Sequence, residues 1–181
     1  MSEKDLYEPV RDYLELRFRD RLQPLYGELR PISAITATTG GSGTGKWSKP
    51  DLCLLALWRH KYGPSWQLDL HGFEVKPDGK CTAESVHEAL NHTSHVHYAH
   101  LVWHNPVWSD ADAPCRAILD RCRRFGVGLI TFSDPGNAAS YTVRCAAPRH
   151  APAGDAIDEF IETRIEPEDR AKLASWLAEI R

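Results

Sequence analysis

Pro50-Asp51-Leu52-Cys53-Leu54-Leu55-Ala56-Leu57-Trp58 and Gln67-Leu68-Asp69-Leu70-His71-Gly72-Phe73-Glu74-Val75-Lys76 are the two stretches on which the fold reading turns. The first is an unbroken apolar run of strand length opened by Pro-Asp, as expected of a strand covered on both faces. The second ends in alternation. Side chains along a strand point to opposite faces in turn, so Glu74 and Lys76 share one face while Val75 takes the other. A polar turn holding Gly63 and Pro64 separates the two stretches. If they lie side by side, Asp51, Glu74 and Lys76 are aimed at one point.

Outward from this pair, Asp5 to about Leu22 carries Leu6, Val10, Tyr13, Leu14 and Phe18 at helical spacing, with Asp5 and Glu8 in the capping-box relation and Pro9 in the first turn. Ile32–Thr39 is β-branched and strand-like. It runs into the glycine-rich Gly40–Gly45, which reads as a mobile loop. Thr82 is the expected cap of a helix with Val86, Ala89, Leu90 and Thr93 on one side, followed by a strand at Tyr98–Trp103. Asp112 caps the next helix, with Cys115, Ile118, Leu119, Cys122 and Phe125 at helical spacing, and Gly126 leads into the strand Val127–Phe132. A strand at Tyr141–Cys145 and helices near 155–163 and 167–180 complete the chain. The order implies an α/β fold (α+β, mixed sheet): a central sheet flanked by helices, with two extra C-terminal helices. Residues 1–181 are expected to form one domain, with 151–181 an acidic helical extension packed on its core.

At 181 residues and 42% hydrophobic content, the chain can bury a core without a disulfide framework or structural metal. Five scattered cysteines, none spaced C-x-x-C, are expected to be reduced. No apolar run approaches the roughly 20 residues that cross a bilayer, and the charged start lacks a signal-peptide pattern, which implies a cytoplasmic protein without a membrane partner. The net charge of −3 is unevenly spread: residues 1–150 hold 18 basic and 17 acidic side chains, residues 151–181 hold 4 and 8. A near-neutral body with basic stretches such as Lys46, Lys49, Arg59 and Lys61 neither demands nor excludes phosphate backbones as partners.

Two motifs fail on inspection. Gly40 to Lys46 spells G-x-x-x-x-G-K, but Trp47 stands where a P-loop needs Ser or Thr, and Ser48-Lys49-Pro50 replaces the helix that would hold phosphates. His87-Glu88 resembles the start of a zinc-protease helix, yet the second histidine, His92, comes one residue late, about 100° around the helix. The run His92, His95, His97 and His100 is dense but has no fixed ligand spacing; a His-rich transition-metal-binding protein is the reading it would support.

Asp51, Glu74 and Lys76 carry more weight. Two carboxylates are hard ligands that hold Mg²⁺ while leaving positions for a phosphate oxygen and a water, and a lysine beside them can orient that water and offset growing negative charge. In this the sequence resembles the PD-(D/E)xK nuclease superfamily, with its restriction-endonuclease-like fold, over about residues 5–104. The later helix and the Gly126-Val127-Gly128-Leu129-Ile130 strand also suit that family's core. The resemblance implies a divalent-metal-dependent nuclease hydrolysing DNA phosphodiester bonds, with Mg²⁺ as cofactor and Mn²⁺ as its substitute. It makes Asp51 and Glu74 metal ligands, Lys76 the catalytic lysine, and Glu8 the acid added by the first helix. DNA is the implied partner; the weak basicity points to a homodimer or protein partner for affinity. A non-catalytic nucleic-acid-binding or protein-interaction module on the same fold is the alternative. Against these stand plainer readings: Glu74 and Lys76 as an exposed pair at a strand end, and Asp51 as a turn cap. His87, Asn91 and His95 form a polar stripe on the helix after the second strand. Trp47 and Trp66 are candidates for stacking on bases, and Trp103 and Trp176 for the core.

Overall fold

The computed structural model describes residues 1–25, 27–38 and 49–180. Its centre is a six-stranded sheet in sequence order: β1 (Glu28–Ile35), β2 (Leu52–Arg59), β3 (Gln67–Lys76), β4 (Tyr98–His104), β5 (Gly128–Phe132) and β6 (Thr142–Cys145). The first three strands and the last pair are antiparallel, whereas β3, β4 and β5 run parallel. Parallel neighbours need crossovers. Helix α3 (Ala83–Asn91) connects β3 to β4, and α4 (Ala113–Phe125) connects β4 to β5. The apolar run of β2 is buried from Leu52 to Trp58, as a central strand covered on both faces requires.

One face of the sheet receives the N-terminal segment. Its apolar residues recur every four positions, and Leu6, Val10, Leu14, Phe18 and Leu22 are all buried. On a regular α-helix a four-residue spacing drifts about 40° per step, which would carry the stripe off the sheet. The segment is accordingly not the single helix the periodicity predicts. It is α1 (Tyr7–Tyr13), a π-helical turn at Leu14–Phe18, then α2 (Arg19–Leu22). The wider turn takes back the drift and keeps Phe18 and Leu22 on the sheet. Phe18 then lies edge-on to His71, Phe73 and His100, 5.4–5.7 Å between ring centres. The Asp5–Glu8 capping box does not form: Asp5 instead accepts from the Ser2 nitrogen.

The opposite face carries α3 and α4 over Leu101, Trp103 and Leu129, beside α5 (Gly154–Arg164) and α6 (Pro167–Glu179) over Cys53, Leu55 and Leu70. These last two are the extra C-terminal helices, seated through Phe160, Ile165 and Leu173. Trp103 is in the core, and Trp176 is only partly buried against it. Helix α4 has the expected ends. Asp112 accepts from the Cys115 nitrogen at 3.2 Å, and Gly126 closes the helix at φ 70°, where a side chain would be strained. The five cysteines are unpaired. Among the described residues no helix is long and apolar enough to cross a membrane.

Candidate functional site

At the carboxyl end of β3 lies a cavity of about 630 Å³. The pairing of Leu52 with Phe73 brings the start of β2 beside the end of β3, so Asp51, Glu74 and Lys76 all line it. Glu88 and His92 enter from α3 and the turn that follows it, Glu3 and Tyr7 from the N-terminal segment. Glu8 does not join them. It is exposed and pairs with Arg11 on the outside of α1.

The charges in this cavity are matched by the protein itself. Lys76 lies 2.5 Å from Glu74, 2.8 Å from Glu88 and 3.4 Å from Glu3, so its ammonium occupies the centre of the carboxylate group. Asp51 accepts from the Tyr7 hydroxyl on one oxygen and from the Val75 nitrogen on the other, both at 2.8 Å. The second oxygen of Glu74 faces His92 Nε2 at 3.3 Å.

Electrostatics follow from this burial. Desolvation pushes Asp51 up to about 6 against the opposing Val75 N–H bond, and pushes Glu74 up further, helped by the Asp51 charge. Burial also works against the Lys76 charge, but Glu74 and Glu88 outweigh it and hold that lysine above its usual range. Lys76 therefore keeps its proton, and Glu74 is the partner that gives up its charge first on acidification. His92, fully enclosed beside Lys76, is pushed down to about 3 and is neutral. Tyr7, buried between Asp51 and Glu3, is driven above the ordinary phenol range.

This geometry corrects the metal-dependent reading. Among the described residues no group of three or more His, Cys, Asp or Glu side chains is placed to hold a metal ion. The physical reason is visible in the ion pairs: Lys76 stands where a cation would stand, and both oxygens of Asp51 are already hydrogen-bonded. The expectation of a Mg²⁺- or Mn²⁺-dependent phosphodiesterase acting as a DNA nuclease is overturned on that ground, while Asp51, Glu74 and Lys76 do meet in one cavity and Glu8 lies outside it.

The His-rich metal reading fails as well, because the histidines diverge and form no such group among the described residues. His92 faces the cavity, while His97 accepts from the Leu70 nitrogen. His100 meets His71 at 3.2 Å, and His95 stacks near Phe160. His87 packs on Phe125. Arg30 and Arg59 lie over the ring of Trp66 at 5.2 and 5.1 Å. Gly40–Lys46 and Trp47 lie outside the described residues.

Sequence reasoning missed Glu3 and Tyr7, and it weighed Glu88 and His92 only as parts of metal motifs, not as partners of Asp51, Glu74 and Lys76. Glu88 and His92 stand four apart on the helix after the second strand, a spacing that puts both on one face, and that signal was readable. No family model matches the chain, and no curated protein matches it either.

Proposed function

We propose that the chain is a non-catalytic nucleic-acid-binding module built on a restriction-endonuclease-like sheet. The observation that carries this reading is the contrast between the matched cavity and the outer face of α4. Between Ala113 and Phe125 that helix holds Arg116, Arg121, Arg123 and Arg124 against one acid, Asp120. Cys115, Ile118, Leu119 and Cys122 are its buried side, so the four arginines stand on the exposed side. Among the described residues only Arg123 has a carboxylate partner, Asp120 at 3.7 Å.

Phosphate backbones bind through such uncompensated cations, by local contact and not by net charge. The overall charge of −3 is therefore no obstacle, because residues 1–150 hold 18 basic against 17 acidic side chains and the whole excess of acid lies in residues 151–181. The acid–acid–lysine trio has a structural part in this reading: it ties the N-terminal segment and α3 to the end of β3.

The test is fluorescence anisotropy of a labelled mixed-sequence DNA duplex, with the DNA afterwards run on a denaturing gel. The expected result is salt-sensitive binding, weakened about tenfold by the double variant Arg121→Gln/Arg124→Gln, and DNA recovered at full length with or without Mg²⁺. Cleaved DNA, or binding unaffected by the variant, overturns the reading. An acidic polypeptide that binds where DNA does not would make the module a protein-interaction one.

A further inference from the structure

Strand β6 is an edge strand, and its register against β5 slips by one residue: Ile130 pairs with Val143 and Leu129 with Cys145, leaving Arg144 as the extra residue of a bulge. Bulges re-aim side chains. Arg144 is turned toward the face that carries α4, where its Nε donates to Thr131 Oγ1 at 2.9 Å and its guanidinium lies 4.6 Å from the centre of the Trp108 ring. Trp108 is itself fixed, by a hydrogen bond from its Nε1 to Asp110 at 2.9 Å and by edge contact with Trp103.

The result is a half-buried guanidinium whose plane is set from two sides. Neither Nη group has a carboxylate partner among the described residues. Other tertiary arginines differ in this respect. Arg149 is held by Asp69, Arg170 by Glu162, and Arg30 by Glu28 and Glu179. Helix α4 packs against β6, and the charge of its Arg123 acts on the Cys145 thiol beside Arg144, so the arginine-bearing helix and Arg144 share one side of the sheet.

We propose that Arg144 is a pre-set phosphate anchor, so that a nucleic-acid backbone runs from the arginines of α4 onto the open edge at β6. This rests on the nucleic-acid reading above and adds the site. A guanidinium offers two parallel donors to a phosphate, and here the stack and the Thr131 bond have already fixed their plane, so little freedom is lost on binding. A lysine cannot reproduce this, because its ammonium is a point charge on a flexible stem.

The experiment compares wild type with Arg144→Lys, Arg144→Gln and Thr131→Val for binding of a labelled DNA duplex and of its single strand, with circular dichroism and thermal melting confirming that each variant is folded. Arg144→Lys is expected to weaken binding about tenfold, nearly as much as Arg144→Gln, although it keeps the charge. Thr131→Val, also with charge unchanged, is expected to weaken binding roughly threefold by freeing the guanidinium.

Arg144→Lys binding as wild type does would overturn the anchor and leave only a diffuse charge. If Arg121→Gln/Arg124→Gln weakens binding while every Arg144 and Thr131 variant binds normally, the anchor is wrong and the nucleic-acid reading stands. Wild type that binds neither DNA at low salt removes both. Polyglutamate that binds wild type while DNA does not would overturn the phosphate assignment in favour of an acidic protein partner.

Discussion

The cavity at the end of β3 and the outer face of α4 hold charge in opposite ways. In the cavity each ion faces a counter-ion or a hydrogen-bond donor of the same chain: Lys76 three carboxylates, and Asp51 the Tyr7 hydroxyl and the Val75 nitrogen. On α4, Arg116, Arg121 and Arg124 form no ion pair among the described residues, and the one acid of that helix, Asp120, pairs with Arg123. Buried charge must be satisfied where it lies, or the fold loses several kcal/mol. Exposed charge is solvated and carries no such demand, so an unmatched cluster is available to a partner. The lesson is that a motif of catalytic appearance and a site open to chemistry are separate things. What separates them here is where the lysine rests.

Breaking the matched side should give the largest effects. Lys76→Met removes the cation among Glu3, Glu74 and Glu88 and leaves buried carboxylates facing one another; a loss of about 3 kcal/mol in urea unfolding is expected. A change under about 0.5 kcal/mol would mean that the network is not what holds this end of β3.

A second matched charge sharpens the point. Asp69 is fully buried and accepts from Trp58 Nε1 at 2.7 Å and from Arg149 at 2.9 Å, which straps the segment before α5 onto the sheet. Asp69→Asn should cost about 2 kcal/mol, with faster hydrogen exchange over 146–153.

The buried imidazoles extend the comparison to pH. His71 and His100 lie 3.2 Å apart, and burial keeps them neutral: it pushes His100 down to about 3 and, helped by the neighbouring His100 and His97, His71 well below its usual range. Because these groups titrate lower when folded, the unfolded chain takes up protons first below about pH 6.5. Their stabilising contribution is complete above that pH and is lost as the pH falls toward 3. Removing one such proton site, in His100→Gln, should flatten the stability slope between about pH 6 and 4 by roughly 1.4 kcal/mol per pH unit. An unchanged slope would show that His100 is not held neutral by the fold.

The unmatched side should respond least in stability. Arg121→Gln/Arg124→Gln is expected to shift unfolding by less than about 0.5 kcal/mol, and its effect should be confined to binding. A large destabilisation would place those arginines in the fold and not at its surface.

Much of this was legible in sequence, for identifiable reasons. The ends of α4 are written in Asp112 and Gly126, both of which act locally, and β2 is recognisable because an unbroken apolar run cannot be half exposed. The alternation at Glu74, Val75 and Lys76 correctly placed the acid and the lysine on one face. What alternation cannot say is which atoms those groups meet. The partners of Lys76 come from three separate elements, and the locking of the trio depends on Glu3 and Glu88, distant in sequence.

The π turn at Leu14–Phe18 was hidden for a related reason. A four-residue repeat is compatible with an α-helix until the helix must stay on a sheet for several turns. Arg144 owes its place to a one-residue slip in pairing, which no residue type in Thr142–Cys145 announces.

The central claim is that the unmatched arginines of α4 hold a nucleic-acid backbone while the cavity's charges are spent inside the fold. Its most direct test is the salt dependence of DNA binding by wild type and by Arg121→Gln/Arg124→Gln. The expected result is a log-linear fall in affinity with salt for wild type and a slope smaller by about 2 for the variant, roughly one for each phosphate contact removed. Identical slopes, or no binding by wild type at low salt, would contradict it.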